Sequence, residues 1–296
     1  MITRMSAPFI GSEALRCGSL TRGELRWNFR PIFPDIYIPK EMCRSLEDMA
    51  AGAWLWSGRR AVITGRAAAA LHGARWVDEH APVELLWRNN HYPPGTIVRD
   101  ERFQADEVTS VRGLTVATPA RAGYDLARYL RRTMAVAYLD ALAHATGITQ
   151  ADLTDLIHRY SGARGNKRAR PLISLMDAGA ESPKETWLRL LLIDAGLPRP
   201  KTQIRVSDGD AVAYLDMGWE EPMVALEYDG DHHRTDRRQY VKDIRRAEMC
   251  GGLGWHVIKV IKEDRPYGII KRARNALARR GYPLPPRNRS QGREAA

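Results

Sequence analysis

The sequence predicts a mixed α/β (α+β) protein of more than one domain, on three observations. Short apolar strands, such as Met223 to Tyr228 and Trp255 to Ile261, alternate with segments of helical spacing along the chain, as expected for sheets covered by helices. Helix starts are chemically marked: Ser182-Pro183 puts a capping serine before a first-turn proline, and Thr21-Arg22-Gly23-Glu24 spells a capping box. The length of 296 residues allows two or three modest domains.

Taken in order, Ser12 caps a short helix from Glu13 to Cys17, Gly18 breaks it, and a second helix opens at Thr21. Phe29 to Ile38 then reads as a wing-like strand. Residues 1–48 are thus expected to be a helix-turn-helix, winged-helix-like module with Arg16, Arg22, Arg26 and Arg30 on a basic face. The same pattern also describes a small helical cap carrying surface arginines. Residues 49–180 mix strands (Ala61–Thr64, Pro82–Trp87, Leu114–Ala117) with helices near 66–72, 120–130, 134–145 and 149–160. The Thr64-Gly65-Arg66 turn lacks the Gly-Lys-Ser/Thr ending that holds phosphate and magnesium, so a phosphate-binding loop is rejected. Asn166 to Pro171 is a basic stretch that suits a DNA-backbone contact or a solvated helix start.

Residues 181–282 form the next expected domain. A helix runs from Pro183 toward Gly196, and an antiparallel hairpin joins Ala213–Trp219 to the strand ending at Tyr228. A helix from Asp236 to Cys250 is broken at Gly251-Gly252 and Gly254; the strand Trp255–Ile261 and a basic helix from Tyr267 to Arg280 follow. The Pro/Arg-rich tail, 283–296, is expected to be disordered.

The octet Leu226-Glu227-Tyr228-Asp229-Gly230-Asp231-His232-His233 carries the chemistry. Alternation puts Glu227 and Asp229 on one face of the strand, opposite Val224, Leu226 and Tyr228. Adjacent acids at the end of an apolar strand repel and resist burial, which a divalent cation would relieve; a solvated edge strand is the bland alternative. Asp216 on the partner strand and Glu185 at the head of the preceding helix add two further acids. Cys17, Cys43 and Cys250 form no Cys-x-x-Cys pair, which weighs against zinc. So few cysteines suit a reducing cytoplasm and no disulfide framework. No apolar run is long enough to span a bilayer, and Met1 to Met5 lacks a signal peptide's apolar core. The net charge of +11 favours a polyanionic partner.

The order of helix, acid-bearing hairpin, helix and strand, with Glu185, Asp216, the Leu-Glu-Tyr-Asp-Gly stretch, His232-His233 and Asp243-x-x-Arg246, resembles the PD-(D/E)xK nuclease superfamily. The likeness is to its very-short-patch-repair (Vsr-like) branch and covers residues 181 to about 280. It implies a restriction-endonuclease-like fold, a central mixed sheet flanked by helices, and a DNA endonuclease dependent on Mg²⁺, with Mn²⁺ as a substitute. Asp216 and Glu227 would be metal ligands, the Tyr228 carbonyl a third, and Glu185 would act directly or through water. His232 or His233 would be the general base and Arg246 a DNA contact. Asp229, counted in the same catalytic set, stands where the superfamily usually has its lysine.

Ile63 to Gly73, Ala117-Thr118-Pro119-Ala120-Arg121-Ala122 and the preceding helix-turn-helix resemble AbiEi-type antitoxins and regulators over residues 10–160. That resemblance implies DNA binding by Arg22, Arg26 and Arg30. The expectation is a cytoplasmic, Mg²⁺-dependent endonuclease, able to act as a homodimer on duplex, mismatched or modified DNA. The alternative is a DNA-binding transcriptional regulator or antitoxin with a degenerate nuclease fold.

Overall fold

The computed structural model describes residues 7–230 and 237–284, with the side chains of 237–241 left aside. His232, His233 and nearly all of the expected disordered tail lie outside the described residues. The chain separates into two compact units between Ala178 and Gly179.

The first unit opens with β1 (Phe9–Ile10), α1 (Gly11–Arg16), α2 (Arg22–Asn28), β2 (Phe29–Phe33) and β3 (Ile36–Pro39). Thr21 and Glu24 form the anticipated capping box at the head of α2. The wing-like segment is two strands rather than one: β2 pairs antiparallel with β3, and the chain reverses at Asp35, whose φ of 62° is left-handed. Ala14, Leu20, Leu25 and Phe29 close a small core beneath this sheet of order β1-β3-β2. The helix α3 (Leu46–Trp56), capped by Ser45 and Asp48, touches strands of both sheets of the unit.

The second sheet comprises β4 (Val62–Thr64), β5 (Val83–Leu86), β6 (Thr96–Arg99), β7 (Val108–Val111) and β8 (Leu114–Ala117), in the order β6-β5-β4-β8-β7. Helix α4 (Gly65–Leu71) lies close to it because Ala67, Ala68 and Ala69 are small and fully buried. The turn into α4 is no phosphate loop. The Glu84 carboxylate accepts from the Arg66 amide at 2.7 Å, and a Cβ on Gly65, at φ 59°, would fall 2.0 Å from Glu84 Oε2. Four more helices, α5 (Pro119–Tyr129), α6 (Arg132–Thr146), α7 (Gln150–Arg159) and α8 (Asn166–Ile173), share a core of Tyr124, Leu139, Leu153, Ile157 and Ile173. The basic stretch after Gly165 is therefore the start of α8.

The second unit runs α9 (Pro183–Asp194), β9 (Lys201–Ser207), β10 (Val212–Trp219), β11 (Val224–Tyr228), α10 (Arg237–Gly252), β12 (His256–Val260) and α11 (Pro266–Arg279). Its mixed sheet has the order β12-β11-β10-β9; β9, β10 and β11 meander antiparallel, and β12 joins β11 in parallel after the α10 crossover. Period-two alternation sorts the strands between two cores. Val224, Leu226, Ile258 and Val260 pack with Leu188 and Leu192 of α9 and with Ile269 and Leu277 of α11. On the other face Ala213, Leu215 and Ala225 pack with Cys250 of α10. Gly251 and Gly252 do not break α10, which continues to Gly252; the reversal comes at Gly254, with φ 88°.

The strand β10 changes sides part-way. Leu215 belongs to the α10 core and Met217 to the opposite one, although residues two apart share a face of a regular strand. The β9–β10 register skips Asp216 and Gln203, and Gln203 has a left-handed φ of 49°. Asp216 therefore sits at an irregularity rather than in a flat ladder.

Gly218 tests how closely the hairpin strands must approach. An added Cβ would lie 2.3 Å from the Val224 carbonyl oxygen and 2.8 Å from the Ala225 Cα. Gly218→Ala is expected to lower stability to urea by about 1–3 kcal/mol. Gly251→Ala, which meets nothing within 4 Å, should be neutral or mildly stabilising as a helical alanine. Equal urea midpoints for wild type and Gly218→Ala would refute the close approach.

Candidate functional site

The acids of the second unit are held differently from one another. Glu227, 5% exposed, follows the buried run Val224-Ala225-Leu226 and faces α10. Its carboxylate is gripped from two sides: Arg246 of α10 donates to Oε1, and Lys259 Nζ lies 2.7 Å from Oε2. Lys259 reaches it because the parallel register places Lys259 beside Glu227. Arg246 also donates to the Tyr214 carbonyl, so its guanidinium spans β10 and β11. These groups line an open cavity of about 340 Å³ that also includes Asp243, Cys250 and Trp255. Burial pushes the Cys250 thiol up, which keeps it protonated and a poor nucleophile.

Asp216 has a different environment. It accepts a 2.9 Å hydrogen bond from the Tyr228 amide, so a side chain serves as acceptor where β11 ends. Burial, joined by the negative charges of Glu185 and Glu227, pushes its carboxyl up to about 7 against the pull of the Tyr228 hydrogen bond and of Arg246. Glu185 stands at the third position of α9 and completes a cap: Ser182 Oγ donates to Oε1 at 2.8 Å, and the Glu181 amide donates to Oε2 at 2.9 Å. Asp229 is exposed, its amide donating to the Val260 carbonyl at 2.8 Å.

Three of the anticipated acids, Glu185, Asp216 and Glu227, thus lie within electrostatic reach of one another. A Mg²⁺ ion would suit Asp216, a desolvated carboxyl among like charges. The fit fails at the other two, where Glu185 is engaged in its cap and Glu227 by two cations. No group of three or more His, Cys, Asp or Glu side chains converges on a metal position among the described residues. Lys259 had no signature in the sequence beyond its place in a strand; only the β11–β12 register reveals it.

In the first unit Arg22 and Arg26 are exposed on α2 beside Trp27, which is 74% exposed. Arg30 is turned aside from them and donates to the Met42 carbonyl.

A comparison with known protein families falls on this unit. Residues 61–175 match the AbiEi antitoxin C-terminal domain. The match embraces the whole five-stranded sheet and helices α4 to α8, and so shares residues 61–160 with the likeness expected from sequence. Two uncharacterized proteins, from two strains of Mycobacterium tuberculosis, are each 30% identical over 155 residues. That stretch is 52% of this chain, which covers only 57% of their length.

A carboxyl whose folded pKa exceeds its unfolded value binds its proton more tightly in the native state. Stability is then greatest below the unfolded value and falls as pH rises toward the folded one. For Asp216 that window runs from the ordinary 3.8 to about 7. Asp216→Asn should therefore raise the thermal midpoint by several degrees at pH 8 and by much less at pH 4. A gain independent of pH would show that Asp216 titrates normally.

Proposed function

We propose that this protein is a DNA-binding regulator of the AbiEi antitoxin kind, whose second unit keeps a nuclease-like scaffold for binding rather than cutting. One observation carries the choice: Glu227, one of the two acids expected from sequence to hold a metal, is already neutralised by Arg246 and Lys259. The AbiEi match in the first unit, the charge of +11 and the exposed pair Arg22 and Arg26 support the same reading. No helix among the described residues is long and apolar enough to cross a membrane, and action on duplex DNA in the cytoplasm is part of the proposal.

The sheet order and the raised Asp216 favour a second reading, a Mg²⁺- or Mn²⁺-dependent endonuclease. It requires Glu227 to exchange its two cationic partners when substrate arrives. His232 and His233 would belong to that reading as candidate bases.

Two measurements on the full chain separate the readings. Duplex DNA affinity, followed by fluorescence anisotropy, should fall linearly with salt on a log–log plot; replacing Arg22 and Arg26 by alanine should reduce the slope by about 0.9 for each phosphate no longer neutralised. An unchanged slope and affinity would remove the N-terminal module from the interface. Plasmid and mismatched oligonucleotides should stay intact with Mg²⁺ or Mn²⁺. Nicking abolished by EDTA and by Asp216→Ala would replace the regulator reading with the endonuclease.

A further inference from the structure

The matched segment holds a network of charges, buried at Arg121, Arg128, Glu107 and Asp125, that the proposed function does not use. Arg121, 1% exposed, donates to Glu107 at 2.7 Å and to Asp125 at 3.1 Å. Arg128 grips both oxygens of Glu101, at 2.6 and 3.0 Å. Arg159 pairs with Asp106 and Glu107, and Thr64 donates to Asp125 at 2.7 Å. Tyr160 donates to Glu107 from the other side.

A cavity of about 380 Å³ opens over this network, and five arginines line it: Arg102, Arg121, Arg128, Arg159 and Arg164. Carboxylates answer the buried Arg121 and Arg128 and the exposed Arg159. Arg102 and Arg164 are exposed and have no salt-bridge partner among the described residues. Their positions are nevertheless fixed from beneath. Arg121 donates to the backbone carbonyl of Arg102 at 2.9 Å, and Arg128 donates to that of Arg164 at 2.8 Å. Two buried, fully paired arginines thus hold the chain segments that carry two unpaired ones. Ser161, Gly162 and Ala163 add small residues to the lining, and the partly exposed Tyr160 ring supplies an apolar surface.

We infer that this cavity binds a small phosphorylated ligand of mononucleotide size, with its phosphate between Arg102 and Arg164. Guanidinium groups match phosphate oxygens with paired, charge-assisted hydrogen bonds. Arg121, Arg128 and Arg159 are paired with carboxylates, of which Glu101 also lines the cavity, so the unpaired positive charge is that of Arg102 and Arg164. The volume lies at the small end of ligand pockets, which start at about 300 Å³.

Isothermal titration of the full-length protein with inorganic pyrophosphate and with AMP is the test. Both should bind, and AMP should bind more tightly if its base reaches Tyr160. Arg102→Ala with Arg164→Ala should weaken binding about tenfold or more for each arginine, since each substitution removes a charge-assisted hydrogen bond to phosphate. The double variant removes only exposed side chains without ion pairs, and its thermal midpoint should match wild type. Arg102→Glu alone should abolish pyrophosphate binding through charge reversal. The inference is overturned if neither probe binds at millimolar concentration, or if both bind the double variant unchanged. It is also overturned if only duplex DNA binding is weakened by the substitutions, which would make the two arginines backbone contacts of a longer DNA track.

Discussion

The carboxylates buried in and beside the sheets of this protein must be answered by cations, and that requirement organises both units. Glu84, Glu107, Asp125 and Glu227 are all nearly inaccessible, and an unpaired ion in such surroundings costs several kcal/mol. Arg66 and Arg99 flank Glu84, Arg121 and Arg159 flank Glu107, Arg121 and Arg128 flank Asp125, and Arg246 and Lys259 flank Glu227. Glu84, Glu107 and Glu227 lie on or beside strands and take their cations from helices or other strands, so those pairs tie the layers together with a directionality that apolar packing lacks. Asp125 is paired within α5 and reaches the sheet through Thr64.

Much of the architecture was legible in the sequence because its signals are local. Ser182-Pro183 at the head of α9, the Thr21–Glu24 capping box and the Glu220-Glu221-Pro222 turn between β10 and β11 each act within a few residues. The β9 strand carried no such signal: Lys201–Ser207 has only Ile204 and Val206 as buried apolar residues, and it becomes a strand by pairing with β10. The split of Phe29–Ile38 into two strands depends on a left-handed aspartate that periodicity does not reveal.

The candidate site was legible in its acids and in Arg246, but not in the partner that either cation would take. Glu227 and Asp216 stand out as carboxylates inside apolar runs, a conflict visible in any single strand. Lys259 looks like an ordinary surface residue of a strand, and Arg246 reads as a DNA contact, until the sheet register and the α10 crossover bring both to Glu227. The sequence contained both explanations for a buried acid, a metal or a basic side chain, and only the tertiary pairing distinguishes them. The arginines over the 380 Å³ cavity were hidden for the same reason, since residues 102, 121, 128, 159 and 164 come together only in three dimensions.

The parallel pairing of β11 with β12 has one more consequence. A strand's side chains alternate faces, so a slip of one residue would exchange the two sides of β12. Lys259 would then enter the apolar layer now filled by Ile258 and Val260 beneath α11, and Glu227 would lose a cation while facing an aliphatic neighbour. Hydrophobicity alone discriminates weakly between these alignments, because β11 offers apolar residues to both faces. The Glu227–Lys259 pair works as a register key: whatever else the ion pair does, it makes the wrong alignment of a non-local strand pair energetically conspicuous.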